Sequence, residues 1–155
     1  YAAFSDNKLI GYVIPVETQG YSSVIRLLAG IDTKGVMLGV AILDQNETPG
    51  LGSQITEIKY GQNLPWFTRQ LSGKKAPDLN LSTSGVQAIT GATISSRAVV
   101  EGISKKAVEF LKIESLAMLY VEDLPLSEPF LNPDKNLKQS VNKIIELSLK
   151  LIGTN

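Results

Sequence analysis

The 155-residue chain contains neither cysteine nor histidine. These two absences exclude thiolate nucleophiles, Cys/His zinc sites, iron–sulfur clusters, haem ligation by histidine and imidazole acid–base chemistry. The lack of cysteine does not define a compartment, because a chain without thiols is suited to reducing and oxidising surroundings alike. Most common enzyme sites cannot be built from this chain, and we predict no catalytic and no metal-ligating residue.

An excess of charge of either sign is also missing. Lys and Arg together number 15 and so do Asp and Glu, which gives a formal net charge of zero. Nucleic-acid binders need a positively charged surface, so nucleic acid is not a predicted partner. Hydrophobic residues make up 43% of the chain and charged residues 19%, which is typical of a globular protein. The length suits a single domain.

Long apolar runs are absent as well. The sequence has no stretch of 18 or more apolar residues, which a membrane-spanning helix would require. The first residues, YAAFSDNKLIGY, lack the charged and apolar regions of a signal peptide. We therefore expect either a soluble protein or one from which a targeting segment has been removed.

Alternating and β-branched residues predict three strands near residues 8–16, 23–31 and 36–43. The turn DTKG at 32–35 predicts a hairpin between the second and third strands. The fold class expected is α+β, a mainly antiparallel sheet packed with helices. Because the alternation is imperfect, both faces of the sheet are expected to be largely covered.

The most regular helical pattern covers residues 94–112, where apolar side chains recur at intervals of three and four. Two shorter helices are predicted upstream, within 53–61 and 64–73, each closed by a glycine. The segment between them and the long helix, residues 74–89, is rich in turn residues and is expected to hold one or two short strands.

The C-terminal part is predicted as an extension of the domain. Residues 1–112 would form the domain core and residues 113–155 the extension. Three prolines predict an extended connector over 121–136. A last amphipathic helix over 137–152 is expected to lie against the domain or against a partner, because its apolar residues exceed what a solvated helix exposes. Packing on the same domain is the favoured alternative.

Two segments rich in glycine and hydroxyl groups are candidate sites, ETPGLG at 47–52 and TGATISS at 90–96. The first could be a plain loop, because Pro49 presets φ while Gly50 and Gly52 permit positive φ. The second could simply cap a helix. It could also bind an anion, because the N–H groups and dipole of a helix N-terminus attract negative charge. Neither segment matches the phosphate-binding loop of nucleotide hydrolases.

Taken together, the two segments carry a family resemblance. RLLAGIDTKGVMLGVAILDQNETPGLG, followed about forty residues later by TGATISSRAVVEGI, resembles the FMN-binding domain found in the G subunit of the Rnf electron-transport complex. It is similar in the same way to the C subunit of the sodium-translocating NADH:quinone reductase. The resemblance covers about two thirds of the chain and implies a single FMN-binding domain.

In that family the Ser/Thr-Gly-Ala-Thr motif is where FMN is attached, its phosphate esterified to the last threonine by a separate flavin transferase. The matching residue is Thr93, preceded by Thr90, Gly91 and Ala92. Position agrees with this assignment, because Thr93 lies between loop and helix. Ser95 and Ser96 fall within the first helical turn, where hydroxyls commonly bond to the backbone. The esterified threonine would be an anchor for the flavin, which performs the redox chemistry.

The resemblance also implies that the ETPGLG segment lies beside the flavin. The expected contacts are Thr48 and Leu51, the latter presenting an apolar surface to the ring, and the cofactor-binding residues of this segment are Glu47, Thr48, Gly50, Leu51 and Gly52. One residue departs from the family. The transferase recognition pattern has an aspartate three residues before the motif, where this chain has Gln87.

The implied function is an electron-transfer subunit of a membrane-bound, ion-translocating oxidoreductase. Its partners would be the other subunits and the flavin transferase. Family members carry an N-terminal membrane helix, absent from this chain, and face the extracytoplasmic, periplasmic side. An alternative is an extracytoplasmic interaction module of the same fold that binds flavin non-covalently or not at all, which Gln87 favours. A hydrolase pairing a serine with Lys105 or Lys106 is a third hypothesis.

Overall fold

The structure, a computed structural model, describes residues 1–122, with side chains described up to residue 116. Two compact units are distinguished along the chain, Tyr1–Glu109 and Phe110–Asn155. Both candidate segments lie in the first unit. The predicted terminal helix over 137–152 and nearly all of the predicted connector lie outside the described residues, and the proposed boundary after residue 112 stays a prediction.

The first unit is built on a four-stranded antiparallel sheet in the order β1-β2-β3-β4. The strands are β1 (Ala2–Ser5), β2 (Lys8–Gln19), β3 (Val24–Asp32) and β4 (Met37–Asp44). The predicted antiparallel α+β architecture is confirmed, with three strands at the expected places. The edge strand β1 was not predicted. It is joined to β2 by Asp6 and Asn7, both at positive φ, which is typical of the tightest hairpin turns.

One face of the sheet carries the core and the other faces solvent. Along β3, Ile25, Leu27, Ala29 and Ile31 are buried, while the alternate positions are exposed or half-buried. The expectation that both faces are largely covered is therefore wrong. On the outer face the Arg26 guanidinium forms ion pairs with two exposed carboxylates. They belong to Glu17 and Asp44 on the neighbouring strands, and each lies 2.9 Å away.

The predicted β3–β4 hairpin is confirmed, and a side chain fixes its turn. Asp32 Oδ1 accepts hydrogen bonds from the backbone N–H groups of Lys34 and Val36, each at 2.8 Å. Gly35 has φ of 76°, a conformation that other residues rarely adopt. These backbone bonds are the largest cause that lowers the pKa of Asp32.

Between the sheet and the long helix the chain forms only short elements. These are a 3-10 turn (Gly52–Thr56), helix α1 (Trp66–Arg69) and a second 3-10 turn (Ala76–Asp78). The two helices predicted over 53–61 and 64–73 are thus much shorter than expected, although both closing glycines have positive φ. No strand forms over 74–89, which contributes only one bridge, from Lys75 to Val36. In these segments the turn-forming residues outweigh the weak local preferences for helix and strand.

Helix α2 (Thr93–Glu122) is the longest element. It begins one residue before the predicted start at residue 94 and continues past 112, so Val121 and Glu122 are helical rather than extended. The sequence offers no glycine or proline between Gly102 and Pro125 to end it earlier. Among residues 1–122, no helix combines the length and apolarity that crossing a membrane would require.

A glycine brings α2 close to β2. A Cβ added at Gly102 would lie 2.9 Å from Cβ of Thr18, which is closer than side chains can approach. Ser104, two residues further along the helix, donates a hydrogen bond of 2.7 Å to the carbonyl of Pro77. The helix side chains Val99, Val100 and Ile103 are buried, as are those on the inner face of the sheet. This packing fixes the start of α2 beside the loop that follows β4.

Candidate functional site

The two candidate segments, about forty residues apart in sequence, line one cavity of about 660 Å³. Most of the predicted site residues are in its wall, namely Glu47, Thr48, Leu51, Gly52, Gly91, Ala92 and Thr93. Thr90 and Gly50 do not line the cavity, although each is adjacent in sequence to a residue that does. Both of them lie in turns, where Gly50 has φ of 73°.

Three residues of the cavity wall were not predicted, Tyr21, Ile94 and Ser95. Tyr21 comes from the turn between β2 and β3, and nothing in the local sequence distinguishes it as a site residue. Ile94 and Ser95 follow directly from the helix beginning at Thr93, because the first turn of α2 faces the cavity. Their place in that turn is the signal by which the sequence could have identified them.

Thr93 is exposed and is the first residue of α2. Its hydroxyl has no hydrogen-bond partner among the described residues. The helical bonding begins with Ser96 N–H donating to the Ala92 carbonyl at 3.0 Å, so the N–H groups of the first turn have no partner one turn earlier. The Thr93 hydroxyl is therefore not used as a cap, and it lies at the positive end of the helix dipole.

The serines that follow have different partners. Ser96 behaves as predicted, accepting a bond from Ile89 N–H and donating one to the Ala92 carbonyl, both at 2.9 Å. Ser95 does not bond the backbone through its side chain. Its buried hydroxyl donates to Glu47 Oε2 at 2.5 Å and connects the helix to the ETPGLG loop. Neither serine hydroxyl is accessible for attachment of a ligand.

Gly91 and Leu51 bring the two segments into contact. Gly91 has φ of 75°, and a Cβ added to it would lie 3.2 Å from Cδ2 of Leu51. A side chain at this position would be strained by its backbone and crowded against Leu51. The glycine thus lets the loop carrying Leu51 close against the turn that leads to Thr93.

Glu47 is the buried charge of the site, with only 3% of its surface exposed. Its carboxylate accepts bonds from the backbone N–H groups of Tyr21, Ser22 and Ser23 at 2.9 to 3.1 Å. The Ser23 and Ser95 hydroxyls donate to it as well. Burial acts to raise the pKa of Glu47, but the hydrogen bonds, that of Ser95 foremost, outweigh burial and lower the pKa.

Two glycines make room for this carboxylate. A Cβ at Gly20 would lie 2.6 Å from Glu47 Oε1, and a Cβ at Gly52 would lie 2.5 Å from the Ser95 hydroxyl oxygen and 2.8 Å from Glu47 Oε2. These distances are shorter than any side chain tolerates. The second glycine of PGLG is therefore required by close packing around Glu47 rather than by a positive φ.

Three side chains of the cavity lining are large, apolar and exposed, namely Tyr21, Leu51 and Ile94, which are 68%, 43% and 53% exposed. No Lys or Arg is among the described residues lining it. The only positive potential that the lining supplies is that of the N-terminus of α2. The wall can therefore hold a flat apolar group together with one anionic group at the helix start.

Comparison with known proteins agrees with this arrangement. Residues 20–108 match the family described as FMN-binding domain. The chain is 40% identical over 114 residues to the G subunit of the proton-translocating ferredoxin:NAD(+) oxidoreductase complex of Clostridium ljungdahlii, covering 70% of this chain and 57% of that protein. It is 33% identical over 113 residues to the Na(+)-translocating counterpart of Acetobacterium woodii, covering 67% and 51%. The chain spans little more than half the length of these relatives.

The fold is shared with two crystal structures. Shewanella oneidensis NqrC superposes with a TM-score of 0.57 at 23% identity, covering 72% of this chain and 59% of that one. The C subunit of the Na(+)-translocating NADH-quinone reductase from Parabacteroides distasonis gives 0.52 at 23% identity, covering 70% and 58%. The family match covers more than half of the chain and includes every residue that lines the cavity, and the chain therefore belongs to the FMN-binding domain family.

Proposed function

We propose that this chain carries FMN in the cavity, attached covalently through its phosphate to Thr93. The observation that carries the proposal is the convergence of both candidate segments on one cavity, with an exposed Thr93 hydroxyl, unpartnered among the described residues, at the helix N-terminus. The Thr93 hydroxyl is accessible to an enzyme that transfers a flavin phosphate.

The residues present fit such a group. The cavity volume of about 660 Å³ is within the range of about 300 to 1,000 Å³ that is usual for small-molecule sites. Leu51, Ile94 and Tyr21 offer apolar contact for a ring system. The first turn of α2 offers N–H groups for a phosphate. Gly91, which carries no side chain, leaves the approach to Thr93 open.

The absence of a cation from the described cavity lining supports a covalent link over simple binding. A free FMN phosphate carries about two negative charges at neutral pH, and a helix N-terminus supplies the equivalent of only about half a positive charge. Esterification to Thr93 Oγ1 leaves a phosphodiester with a single negative charge. The ester bond then retains a cofactor that this electrostatic environment would hold weakly.

In this proposal Thr93 Oγ1 forms a bond to the phosphorus of an activated flavin nucleotide. The bond from that phosphorus to the nucleotide's leaving group breaks, and the leaving group takes up the hydroxyl proton. The mass of the chain increases by that of one FMN less one water. Thr48 and Leu51 contact the ring, while Thr90, Gly91 and Ala92 shape the approach to the attachment site. Glu47, Gly50 and Gly52 form the loop that supports these contacts. Bound FMN would supply one- and two-electron redox chemistry, and no side chain of the cavity is required as an acid or base.

The relatives suggest the setting. Proteins named as the G subunit of ion-translocating ferredoxin:NAD(+) oxidoreductase complexes are 33% and 40% identical to this chain. We propose that the chain is the FMN-carrying part of such a protein. It would pass electrons between neighbouring cofactors of a membrane complex, on the extracytoplasmic side, with the other subunits and a flavin transferase as partners. An N-terminal membrane helix outside this chain would anchor it.

The proposal is tested by co-expressing the chain with a flavin transferase, denaturing it and measuring flavin fluorescence in the protein band. Wild-type protein is expected to be fluorescent, and Thr93→Ala is expected to lose all covalent flavin. Thr90→Ala, the matched control, removes a threonine three residues away that does not line the cavity and should only reduce attachment. Covalent flavin retained in Thr93→Ala would contradict the assignment.

The alternative of an interaction module without covalent flavin rests on Gln87. Its backbone N–H and carbonyl are bonded to the Gln70 side chain, so the position is structurally fixed, and an exposed side chain is presented there. Wild-type protein that stays non-fluorescent after denaturation would favour this alternative. The hydrolase hypothesis gains no support, because among the described residues neither Lys105 nor Lys106 is hydrogen-bonded to a serine, and Lys106 pairs with Glu109 at 2.7 Å.

A further inference from the structure

We infer that Glu47 is a positioning residue, whose carboxylate holds three separate segments of the flavin cavity in register without itself contacting the flavin. The inference rests on the proposed function for what the cavity holds. It changes the role of Glu47, which the family resemblance places simply beside the cofactor. The contacts around the carboxylate carry the inference.

The carboxylate connects three walls. From its own place in the loop after β4, Glu47 reaches the turn between β2 and β3, where it accepts the N–H groups of residues 21–23. On the other side it accepts the Ser95 hydroxyl from the first turn of α2. Tyr21, Thr48 and Thr93 lie in these three segments. The Glu47 carboxylate is the group that contacts all three, so their relative positions depend on it.

The hydrogen-bonding capacity of the carboxylate is already used. Oε1 accepts from Ser22 N–H, Ser23 N–H and the Ser23 hydroxyl, and Oε2 accepts from Tyr21 N–H and the Ser95 hydroxyl. Five donors satisfy a group that has about four lone-pair sites. No hydrogen-bonding capacity is left for a flavin group, so the carboxylate can act on the cofactor only through the residues that it holds.

The surroundings are built for this one side chain. Gly20 and Gly52 each lack a Cβ where one would lie within 2.8 Å of the Glu47 carboxylate. The Ser23 hydroxyl, besides donating to Glu47, accepts the N–H of Asn46 at 2.9 Å. A second, exposed link joins the same two loops, from Ser22 to Thr48, at 3.2 Å between hydroxyl oxygens. An amide at position 47 would direct an N–H₂ group at existing donors, so glutamine cannot replace the carboxylate.

The test compares three variants of the full chain, Glu47→Gln, Ser95→Ala and Asp32→Asn. Asp32 is the matched control because its carboxylate also accepts backbone N–H groups in a turn but does not line the cavity. Amide hydrogen exchange is measured first, on protein made without the transferase. Visible circular dichroism of the attached flavin and the rate of attachment are measured afterwards on the flavinylated samples.

In Glu47→Gln the N–H groups of residues 21–23 should exchange faster by about tenfold or more, which is the scale expected for loss of charge-assisted hydrogen bonds. The flavin dichroism should shrink and attachment should slow. Ser95→Ala, which leaves the turn bonded to Glu47, should reduce the dichroism while exchange at 21–23 stays near wild type. Asp32→Asn should change none of these readouts.

Unchanged exchange at residues 21–23 in Glu47→Gln would overturn the inference. The inference would also be overturned if exchange were faster in Glu47→Gln while flavin dichroism and the attachment rate stayed as in wild type. Glu47 would then stabilise the fold without positioning the cofactor. If Glu47→Gln does not fold, Ser95→Ala decides the question. A flavin dichroism in Ser95→Ala equal to that of wild type would then overturn the inference. Failure of the proposed function is distinguishable, because wild-type protein would then carry no covalent flavin at all.

Discussion

Three hydroxyl residues in the first turn of α2 have three different environments. Thr93 is exposed and unpartnered among the described residues, Ser95 is bonded to a buried carboxylate, and Ser96 is bonded to the backbone. Sequence alone separates Thr93 from the serines, because position within the turn decides which hydroxyl points outward. It could not reveal the partner of Ser95, since Glu47 is 48 residues away. Long-range contacts of this kind leave no local pattern.

Glu47 should make stability depend on pH. Its pKa in the folded protein lies below its ordinary value of 4.5, so the unfolded chain binds the proton more readily and protonation favours unfolding. The contribution is complete above about pH 4.5 and is lost as pH falls through the folded pKa. At neutral pH Glu47→Gln should lower the free energy of unfolding by about 2 kcal/mol.

Urea unfolding of flavin-free wild type and Glu47→Gln, from neutral pH to about pH 3, measures this effect. The difference between the two proteins should narrow as the pH falls. A difference that stays constant over the whole range would show that the carboxylate charge contributes nothing to stability.

Gln87 stands where the family resemblance implies an aspartate, three residues before the motif. If the transferase uses the aspartate normally found there, Gln87→Asp should raise the fraction of flavinylated protein when the enzyme is limiting. The Gln70 side chain forms hydrogen bonds with the backbone of Gln87, so the Gln87→Asp substitution should leave the conformation of the loop unchanged. Intact mass spectra at a series of transferase concentrations give the fraction, and equal fractions at every concentration would show that the departure is harmless.

Among the secondary-structure elements, the strongly patterned ones were predictable. Strands β2 to β4, the Asp32 turn and the central part of α2 follow from alternation, turn chemistry and helical periodicity. The short strand β1 was missed because four residues carry little pattern, and it exists through its pairing with β2. The helices predicted over 53–61 and 64–73 were overextended, because local propensity cannot show where tertiary contacts end a short turn.

Helix α2 and strand β2 are in close contact at Gly102, and this contact can be tested. In Gly102→Ala the new methyl would lie 2.9 Å from Thr18 Cβ. Overpacking costs about 2 kcal/mol and the helix-propensity gain of alanine is about 1 kcal/mol, so a net loss of about 1 kcal/mol is expected. Chemical denaturation measures the change.

Gly39→Ala is the control for that substitution. Gly39 lies in β4, and an added Cβ there meets no atom within 4 Å. The free energy of unfolding of Gly39→Ala should stay within about 0.5 kcal/mol of the wild-type value. Equal stabilities for the two variants would argue against the close packing of α2 on β2.

The cavity and the residues that line it belong to the first compact unit of the chain. Every described residue that lines the cavity lies between Tyr21 and Ser95, within the unit Tyr1–Glu109. A chain that ends after residue 122 should therefore be flavinylated to the same extent as the full chain. The predicted terminal helix over 137–152 should add stability only, seen as a lower thermal midpoint of the shortened chain. A shortened chain that folds yet accepts no flavin would contradict this division.

The family resemblance predicted which parts of the chain meet, and the structure brings them together in one cavity. It could not predict Tyr21, because the turn that contributes it is connected to the site only through long-range contacts such as that with Glu47. The motif residues Gly50 and Thr90 lie outside the cavity wall, since both are turn residues that shape the backbone. Sequence thus identified the two segments and their order, while three-dimensional packing determined which of their side chains face the cavity.

Mass spectrometry can show whether Thr93 carries FMN through a phosphoester. The full chain is produced with and without a flavin transferase, denatured, and measured intact and after proteolysis. We expect the mass to increase by one FMN less one water only with the transferase, and the increase to be located on the peptide that contains Thr93. No increase with an active transferase, or an increase located on any other residue, would show that Thr93 does not carry the flavin.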